Sequence, residues 1–364
     1  MGKIIRQGAV ETLYEMPLKV NWGITTMCNY ACEYCYGQNP IDKNKFTTRE
    51  QLKKAVEHIA KSNRTKYEFT LVGGEPTVHP EFWYLMDELY SQLGERIESV
   101  FIITNGSKSS EWFSNLKKYL DKMHIRVVIS IHLQYAKFEH IEKIIKDLSG
   151  DIGITLNLML EIDRFEDVKT FFYKALELRK LYSFNLSINL LREAPNFDAV
   201  DSRYTNEILE WRDDASKIFR KVVDDESKKL PIAYDRATFT IFEEIENLDS
   251  TTFNTDYDRN KWLIEGKLNC KGMKCISGAS ILKIGPNGEC KGMVCTATKK
   301  QSNIFECNPF LEEDWIHIVE CPYRNCGCNV NHIIPKFESE IEAELFLEIV
   351  RSKQEKMLDA NKKN

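Results

Sequence analysis

Three cysteines in one short segment, Cys28, Cys32 and Cys35, are the residues best suited to do chemistry in this sequence. They are separated by three and then two residues, so their thiols can reach one point from a single loop. Three thiolates can hold three irons of a [4Fe-4S] cube, which leaves the fourth iron open to another molecule. Zinc sites also use closely spaced cysteines, so the spacing alone leaves zinc open as an alternative.

A second motif, Gly73-Gly74-Glu75-Pro76, ends the apolar run 69–72. With the cysteine loop it resembles the radical S-adenosylmethionine (SAM) superfamily, in which a CxxxCxxC loop followed by an aromatic residue precedes a Gly-Gly-Glu-Pro segment. In that family the open iron chelates the amino and carboxylate groups of SAM, and the glycine-rich segment contacts the amino group. The resemblance implies that the iron ligands are Cys28, Cys32 and Cys35 and that the cofactor-binding residues include Tyr36, Gly73, Gly74 and Glu75.

Composition limits the other classes of function. The chain has 364 residues, of which 43% are hydrophobic, enough for a large domain with a full core and a small second domain. A net charge of -5 offers no basic surface for nucleic acid. The N-terminus lacks a signal-peptide pattern and no apolar run is long enough to cross a membrane, so we expect a cytoplasmic protein. Eleven cysteines in such a protein indicate metal or redox chemistry rather than disulfides.

Strands and helices alternate along the first part of the chain. Apolar runs predict strands at 19–25, 67–72, 99–104, 126–133, 154–160 and 185–191, and amphipathic segments predict helices at 48–61, 80–93, 111–120, 138–148 and 165–178. Six strands that each precede a helix imply parallel pairing with right-handed crossovers. The pattern matches the partial (β/α)6, TIM-like barrel of the radical SAM core. We predict this α/β barrel over 1–245, a small cysteine-rich domain over 246–335, and a C-terminal helix over 336–364.

In barrels of this kind the chemistry collects at the C-terminal ends of the strands. Cys28, Gly73, Asn105, Ser130 and Asn157 all lie at or near predicted strand ends, so we expect one mouth to gather them. Asn105 and the glycine that follows it are also the residues of a common turn pair, which is the alternative interpretation for Asn105. For Ser130 the alternative is a place in a polar layer of the barrel without a role in binding.

Further candidates follow from the resemblance, which implies a serine on the fourth strand that contacts the SAM carboxylate and an arginine about a dozen residues later. Lys143 is the nearest cation to that position. Arg192, at the end of the sixth strand, could meet SAM or an anionic substrate, although a structural ion pair is an equal alternative. His132 is more typical of a core or rim histidine than of a general base.

The other eight cysteines lie between Cys270 and Cys328. Residues 280–290 predict a β-hairpin with a Pro-Asn-Gly turn, which would bring Cys275 and Cys290 together at its ends. Nine residues separate Cys275 from Gly285, and four separate Gly285 from Cys290. This spacing resembles the opening of the SPASM and twitch extensions of radical SAM enzymes. The resemblance implies one auxiliary [4Fe-4S] cluster, with Cys270, Cys275, Cys290 and either Cys326 or Cys328 as its ligands.

The end of this region departs from the SPASM pattern, and Cys295, Cys307 and Cys321 are left without assigned roles. A second auxiliary cluster and a structural zinc knuckle both remain open alternatives. The final charged helix, at 338–358, is predicted to be a solvated cover without chemistry.

The mechanism that the resemblance implies starts with one electron passed to the sulfonium of SAM, supplied by an external donor such as flavodoxin or ferredoxin. The resulting 5'-deoxyadenosyl radical abstracts a hydrogen atom from a C–H bond, which the protein must orient and shield from water. An auxiliary cluster could accept the electron left on the substrate, making the reaction a net oxidation, or could bind the substrate. Quenching by a cysteine hydrogen would instead give epimerisation.

The substrate is left open between a small molecule and a peptide or protein. Peptide-modifying relatives often carry a leader-binding domain before the core, and Cys28 is too near the first residue for one, which favours a small molecule or a leader-independent protein. Crosslinking or epimerisation of a ribosomal peptide is the alternative reaction. A non-catalytic iron-sulfur or zinc scaffold is the alternative of another class.

Overall fold

The structure is a computed structural model that describes residues 17–35, 46–62, 64–193, 199–226, 240–242, 252–254, 269–324 and 334–361. Tyr36, Cys326 and Cys328, three of the predicted site residues, lie outside the described residues. None of the helices in the described part of the chain combines the length and apolar character needed to cross a membrane.

One nine-stranded sheet organises the molecule. Its first six strands in the chain are β1 (Leu18–Thr25), β2 (Tyr67–Gly73), β3 (Ile97–Thr104), β4 (Ile125–Ile131), β5 (Gly153–Leu160) and β6 (Asn185–Leu190). These six strands are neighbours in sequence order, and every pair among them is parallel. The architecture is therefore the partial (β/α)6 barrel that the sequence predicted.

Helices connect these strands. Those of the barrel are α1 (Arg49–Ala60), α2 (Phe82–Gln92), α3 (Ser110–Ser114), α4 (Phe138–Leu148), α5 (Phe165–Arg179) and α6 (Asn206–Glu226). The predicted helix at 111–120 is a short α-helix that continues as a 3-10 turn, Asn115–Tyr119. Thr48 is the N-cap of α1, and its side chain accepts from the backbone N–H of Gln51 in a capping box.

Alternation of side chains explains why the strands can carry a site. Along β1, β2 and β4 every second residue is fully buried, among them Trp22, Phe69 and Val127. The buried set packs with the apolar faces of the helices into one large core. The intervening residues point to the other face of the sheet. The C-terminal strand ends on that face are where functional side chains can gather.

The cysteine-rich region extends this sheet and adds a small one. β10 (Ile281–Ile284) pairs parallel with β1, and β11 (Glu289–Lys291) and β12 (Ser302–Asn303) continue the sheet antiparallel. A separate sheet has β9 (Lys274–Ser277) between β13 (His317–Glu320) and β14 (Lys336–Phe337). The final helix is α7 (Glu340–Asn361). The predicted domain boundary remains a prediction, but the sheet itself runs from the barrel into the cysteine-rich region.

One short pair of strands was not predicted by the sequence analysis. β7 (Thr240–Phe242) and β8 (Thr252–Asn254) pair antiparallel. Each strand has only three residues, too few to show a period-two pattern in the sequence.

Candidate active site

The cysteine loop leaves the C-terminal end of β1 as a tight turn. The N–H of Cys35 donates to the carbonyl of Cys32 at 3.1 Å, and the N–H of Tyr30 lies 3.4 Å from the Cys28 sulfur. Burial raises the pKa of the Cys32 thiol to about 12, with the neighbouring Cys35 and Cys28 as the next causes. Burial also raises the pKa of Cys28. Cys28 and Cys32 are therefore protonated in the metal-free protein at neutral pH, and metal binding must displace their protons.

The glycine-rich segment lies directly beneath this loop. The N–H of Gly74 donates to the carbonyl of Thr25 at 2.8 Å, and the N–H of Glu75 donates to that of Met27 at 2.7 Å. A Cβ on Gly74 would stand 2.2 Å from the Met27 oxygen, and one on Gly73 would stand 2.2 Å from the Thr25 oxygen. Both glycines are thus required by the close approach of two backbone segments.

Glu75 is 1% exposed, and its carboxylate is already occupied by protein donors. One oxygen accepts from the N–H and hydroxyl of Thr77, at 3.0 and 2.6 Å, and from the Thr104 hydroxyl at 2.7 Å. The other accepts from the N–H of Asn105 at 2.6 Å. Glu75 therefore joins the ends of β2 and β3, and its predicted contact with SAM remains a prediction.

Asn105 reaches the cysteine loop. Its amide nitrogen donates to the Asn29 side-chain oxygen at 2.8 Å and lies 3.9 Å from the Cys28 sulfur. Its own side-chain oxygen accepts from the N–H of Ser107 at 3.0 Å. Asn105 therefore takes part in the turn after β3 and also contacts the cysteine loop. The two alternatives considered for Asn105 are thus both present in the structure.

A group of residues holds the other side of the loop, and of these the sequence analysis had considered only His132. The Tyr34 hydroxyl donates to Glu161 at 2.9 Å and lies 2.8 Å from Nδ1 of His132. The Tyr30 ring stacks on the Tyr135 ring at 4.2 Å between centroids. These contacts join residues about one hundred positions apart, and only the position of 132 and 161 just after β4 and β5 could have suggested them.

Ser130 and Asn157 lie side by side near the ends of β4 and β5. They are register partners, and Asn157 is in turn the partner of Ser187 on β6. The Ser187 hydroxyl donates to the Asn157 side-chain oxygen at 2.7 Å, and the Asn189 amide donates to Ser187 at 3.3 Å. A row of uncharged polar side chains therefore crosses three strands.

Lys143 and Arg192, the two predicted cationic contacts, are placed differently from each other. Lys143 lies on α4, is 57% exposed and pairs with Glu111 at 2.5 Å, which favours a surface ion pair over cofactor binding. Arg192 is the second residue after the end of β6 and forms an isolated β-bridge with Val200. It is thus at the predicted end of the barrel, and its role remains a prediction.

Three of the buried cysteines in the described C-terminal region belong to one group. Cys270, Cys275 and Cys321 are 8%, 7% and 5% exposed and belong to one small apolar cluster, against which the half-buried Cys295 packs. Backbone hydrogen bonds from Gly272 to Cys321 and from Cys321 to Met273, both 2.8 Å, bring the segments together. Within the described residues, no three His, Cys, Asp or Glu side chains lie close enough to hold a single metal ion.

Cys290 lies on β11 and in a different apolar cluster from Cys275, and the predicted meeting of these two cysteines at one cluster remains a prediction. Cys290 pairs with Ile284 immediately after the turn and is fully buried in the main core, where burial and the nearby Cys307 raise its pKa to about 12. Gly278, with φ of 84°, ends β9 in a turn, so Cys275 belongs to the other sheet rather than to the open end of the hairpin.

The fold is a partial (β/α)6 barrel, and its C-terminal strand ends carry a three-cysteine loop and a glycine-rich segment. This combination of fold and site is what defines the class of protein. Residues 22–162 match the family model of the radical SAM superfamily. Members use a [4Fe-4S] cluster together with SAM.

Similar proteins agree with this assignment. An S-adenosylmethionine-dependent nucleotide dehydratase of Selenomonas ruminantium is 28% identical over 163 residues, covering 40% of this chain and 57% of that protein. A GTP 3',8-cyclase of Rhizobium etli is 32% identical over 90 residues, covering 24% of this chain and 25% of that protein. The structure of anSMEcpe with bound AdoMet has a TM-score of 0.52 at 15% identity, covering 80% of this chain and 76% of that one. The similarity to these enzymes thus extends over the fold and the SAM domain, and the chain spans about half the length or less of the two sequence relatives.

Proposed function

We propose that this chain is a radical SAM enzyme that removes a hydrogen atom from a C–H bond of its substrate. The observation that carries the proposal is the contact between the cysteine loop, the Gly73-Gly74 segment and Asn105 at one end of the sheet. When bound, the [4Fe-4S] cluster and SAM supply the one-electron cleavage that produces a 5'-deoxyadenosyl radical.

The residues of the chain fit that cofactor pair. Cys28, Cys32 and Cys35 offer three soft sulfur ligands in one loop, which suits three irons and leaves the fourth for SAM. Gly73 and Gly74 keep their strand end close to that loop, and Asn105 holds Asn29 beside it. Ser130 and Asn157 offer hydrogen bonds to a carboxylate or hydroxyl at the neighbouring strand ends. The protein's part is to orient the reacting C–H bond among these groups and to exclude water.

An auxiliary [4Fe-4S] cluster in the C-terminal region is part of the proposal, with Cys270, Cys275, Cys321 and Cys295 as the ligand set that the packing supports. Their low exposure suits a cluster shielded from solvent, whose potential depends on burial. Cys326 and Cys328, the other predicted ligands, lie outside the described residues. An auxiliary cluster would accept the electron left on the substrate, so we propose a net oxidation.

For the substrate we favour a small polar molecule. The row formed by Asn157, Ser187 and Asn189 offers hydrogen bonds without charge, as recognition of hydroxyl or amide groups requires. A peptide or protein substrate is the alternative, because a peptide backbone presents the same amide groups. Nucleotide substrates belong to the named relatives, which share only part of their length with this chain.

The proposal is tested by anaerobic reconstitution of the full chain and of a triple variant, Cys28→Ala, Cys32→Ala and Cys35→Ala. We expect about eight irons per wild-type chain and about four in the variant. The variant should form no 5'-deoxyadenosine from SAM under reducing conditions, whereas Cys307→Ala, at an exposed cysteine outside the proposed ligand sets, should cleave SAM as wild type does. Undiminished 5'-deoxyadenosine in the triple variant would refute the proposal, and zinc in place of iron would favour the scaffold alternative.

A further inference from the structure

The cysteine loop is attached to the barrel by a buried carboxylate. Glu161 directly follows β5, and only 9% of its side chain is exposed. One of its oxygens accepts from the Tyr34 hydroxyl at 2.9 Å and from the N–H of Leu133 at 2.8 Å. The other oxygen is 3.6 Å from Nε of the half-exposed Arg164. Since Tyr34 stands between Cys32 and Cys35, this attachment acts on two of the three thiols.

The direction of each hydrogen bond follows from the chemistry of the groups. A phenol has one hydrogen, and a carboxylate can only accept, so the Tyr34 hydroxyl donates to Glu161. The Tyr34 oxygen must then accept from Nδ1 of His132. Burial lowers the pKa of His132 to about 4, so the ring is neutral at pH 7 and carries its single hydrogen on Nδ1. The chain of donors runs from His132 through Tyr34 to Glu161.

The negative charge of Glu161 also lies close to the cysteine loop. Its carboxylate binds the hydroxyl of Tyr34, which stands between Cys32 and Cys35 in the loop. A negative charge beside the loop opposes an electron added to a cluster held there, because that electron also adds negative charge.

We propose that Glu161 is a positioning residue for the cysteine loop, which it tethers through Tyr34, and that its carboxylate lowers the reduction potential of the cluster held there. The proposal rests on the proposed function for its second half only. The tether is a property of the protein without metal. A low potential suits a cluster that must pass an electron to a sulfonium.

Three variants separate the tether from the charge. E161Q keeps an oxygen that can accept from Tyr34 and Leu133 but removes the charge. Y34F removes the tether and keeps the charge, and E161D keeps the charge on a side chain too short by one methylene to reach Tyr34 in place. E166Q is the matched control, because it removes one charge from a side chain in the next turn that is 82% exposed.

The first measurement is the midpoint potential of the reconstituted loop cluster, followed by electron paramagnetic resonance. We expect a shift to higher potential in E161Q relative to wild type and E166Q, with Y34F and E161D close to wild type. A structural role alone would not move the potential in this pattern. Equal potentials in E161Q, E166Q and wild type would overturn the proposal.

The second measurement is amide hydrogen exchange of residues 28–35 in the metal-free protein. We expect faster exchange in Y34F and E161D and near wild-type exchange in E161Q. Unchanged exchange in both Y34F and E161D would overturn the tether. If the wild-type chain binds no cluster, the proposed function fails while this experiment still decides whether Glu161 positions the loop.

Discussion

At the scale of single residues, two of the cysteines proposed to bind iron are protonated thiols in the metal-free protein, and a protonated thiol is a poor metal ligand. Burial raises the pKa of both Cys28 and Cys32 and so holds them as neutral thiols. Glu75 and Cys35 add to the effect at Cys28, and Cys35, Cys28 and Glu161 add to it at Cys32. Neutral thiols avoid the cost of placing several negative charges in one loop. The same groups become thiolates when iron binds, because the metal replaces the proton.

The thiol of Cys32 should therefore be slow to alkylate in the metal-free protein. Its pKa rises from an ordinary 9 to about 12, so we expect iodoacetamide at pH 8 to modify it roughly 100- to 1,000-fold more slowly than in the urea-unfolded chain. Mass spectrometry of the peptide containing Cys32 measures both rates. Because the raised pKa belongs to the folded state, its contribution to stability is complete below pH 9 and is lost as pH rises toward 12. Equal rates in folded and unfolded protein would contradict the assignment.

Glu75 should matter for stability even without a cofactor. E75Q keeps the oxygen that faces Thr77 and Thr104 but turns an amide toward the N–H of Asn105, leaving two donors opposed in a buried place. We expect a loss of about 2 kcal/mol in the free energy of unfolding of the metal-free protein, measured with urea. The control is E81Q, at a residue on the protein surface whose side chain is 26% exposed. A loss no larger than that of the control would mean that these donors find other acceptors.

At the scale of elements, the decisive contact is between the end of β2 and the start of the cysteine loop. Two backbone hydrogen bonds, from Gly74 to Thr25 and from Glu75 to Met27, fix their separation. Any side chain at 73 or 74 would collide with a backbone carbonyl rather than with a movable side chain. The glycine pair thus sets the distance between the loop and the rest of the mouth.

G74A should separate these two elements. Its Cβ would lie 2.2 Å from the Met27 oxygen, so the backbone must move and both hydrogen bonds must lengthen. We expect the iron bound at the loop cluster, and SAM-dependent formation of 5'-deoxyadenosine, to fall by at least about tenfold, since active sites lose that much from displacements of about 1 Å. G23A is the control, because its nearest contact would be an ordinary 3.5 Å. Wild-type iron content and turnover in G74A would show that the segment tolerates the shift.

At the scale of the whole molecule, the cysteine-rich region extends the sheet of the barrel and also contains its own group of buried cysteines. β10 pairs with β1 over four residues, and Ile281, Leu282 and Ile284 are buried there. The small sheet around β9 holds the cysteine group, with Cys275 on its middle strand and Cys321 just after β13. The same segment therefore closes one edge of the sheet and presents four thiols nearby.

This division predicts different outcomes for two cysteines that the hairpin pattern had paired. C275A should lose about four irons per chain and form little product while still cleaving some SAM, because the loop cluster is intact. C290A should keep its iron and lose only packing in the main core. Iron and sulfide analysis, with product and 5'-deoxyadenosine measured in parallel, distinguishes the two. Equal iron loss in both variants would restore the hairpin ligand set.

Much of the fold could be predicted from the sequence because it depends on short-range patterns. Alternating apolar runs and amphipathic segments predicted all six parallel strands and the helices between them to within a few residues, and α4 to the residue. The cysteine loop and the glycine pair could be predicted for a similar reason, since each is a short contiguous motif that is recognised by the spacing of its residues.

What the tertiary structure decided are the contacts between residues distant in the chain. Tyr34, His132 and Glu161 meet only because β1, β4 and β5 end at the same edge of one sheet. Cys275 and Cys290 lie in different sheets because a turn at Gly278 separates β9 from β10, and a single turn leaves no period to detect in the sequence. The sequence by itself determined the cofactor loop and the barrel, since local spacing and periodicity specify both. The tertiary structure alone decided which buried charge faces that loop and which cysteines pack together, because strand register and chain reversal set those distances.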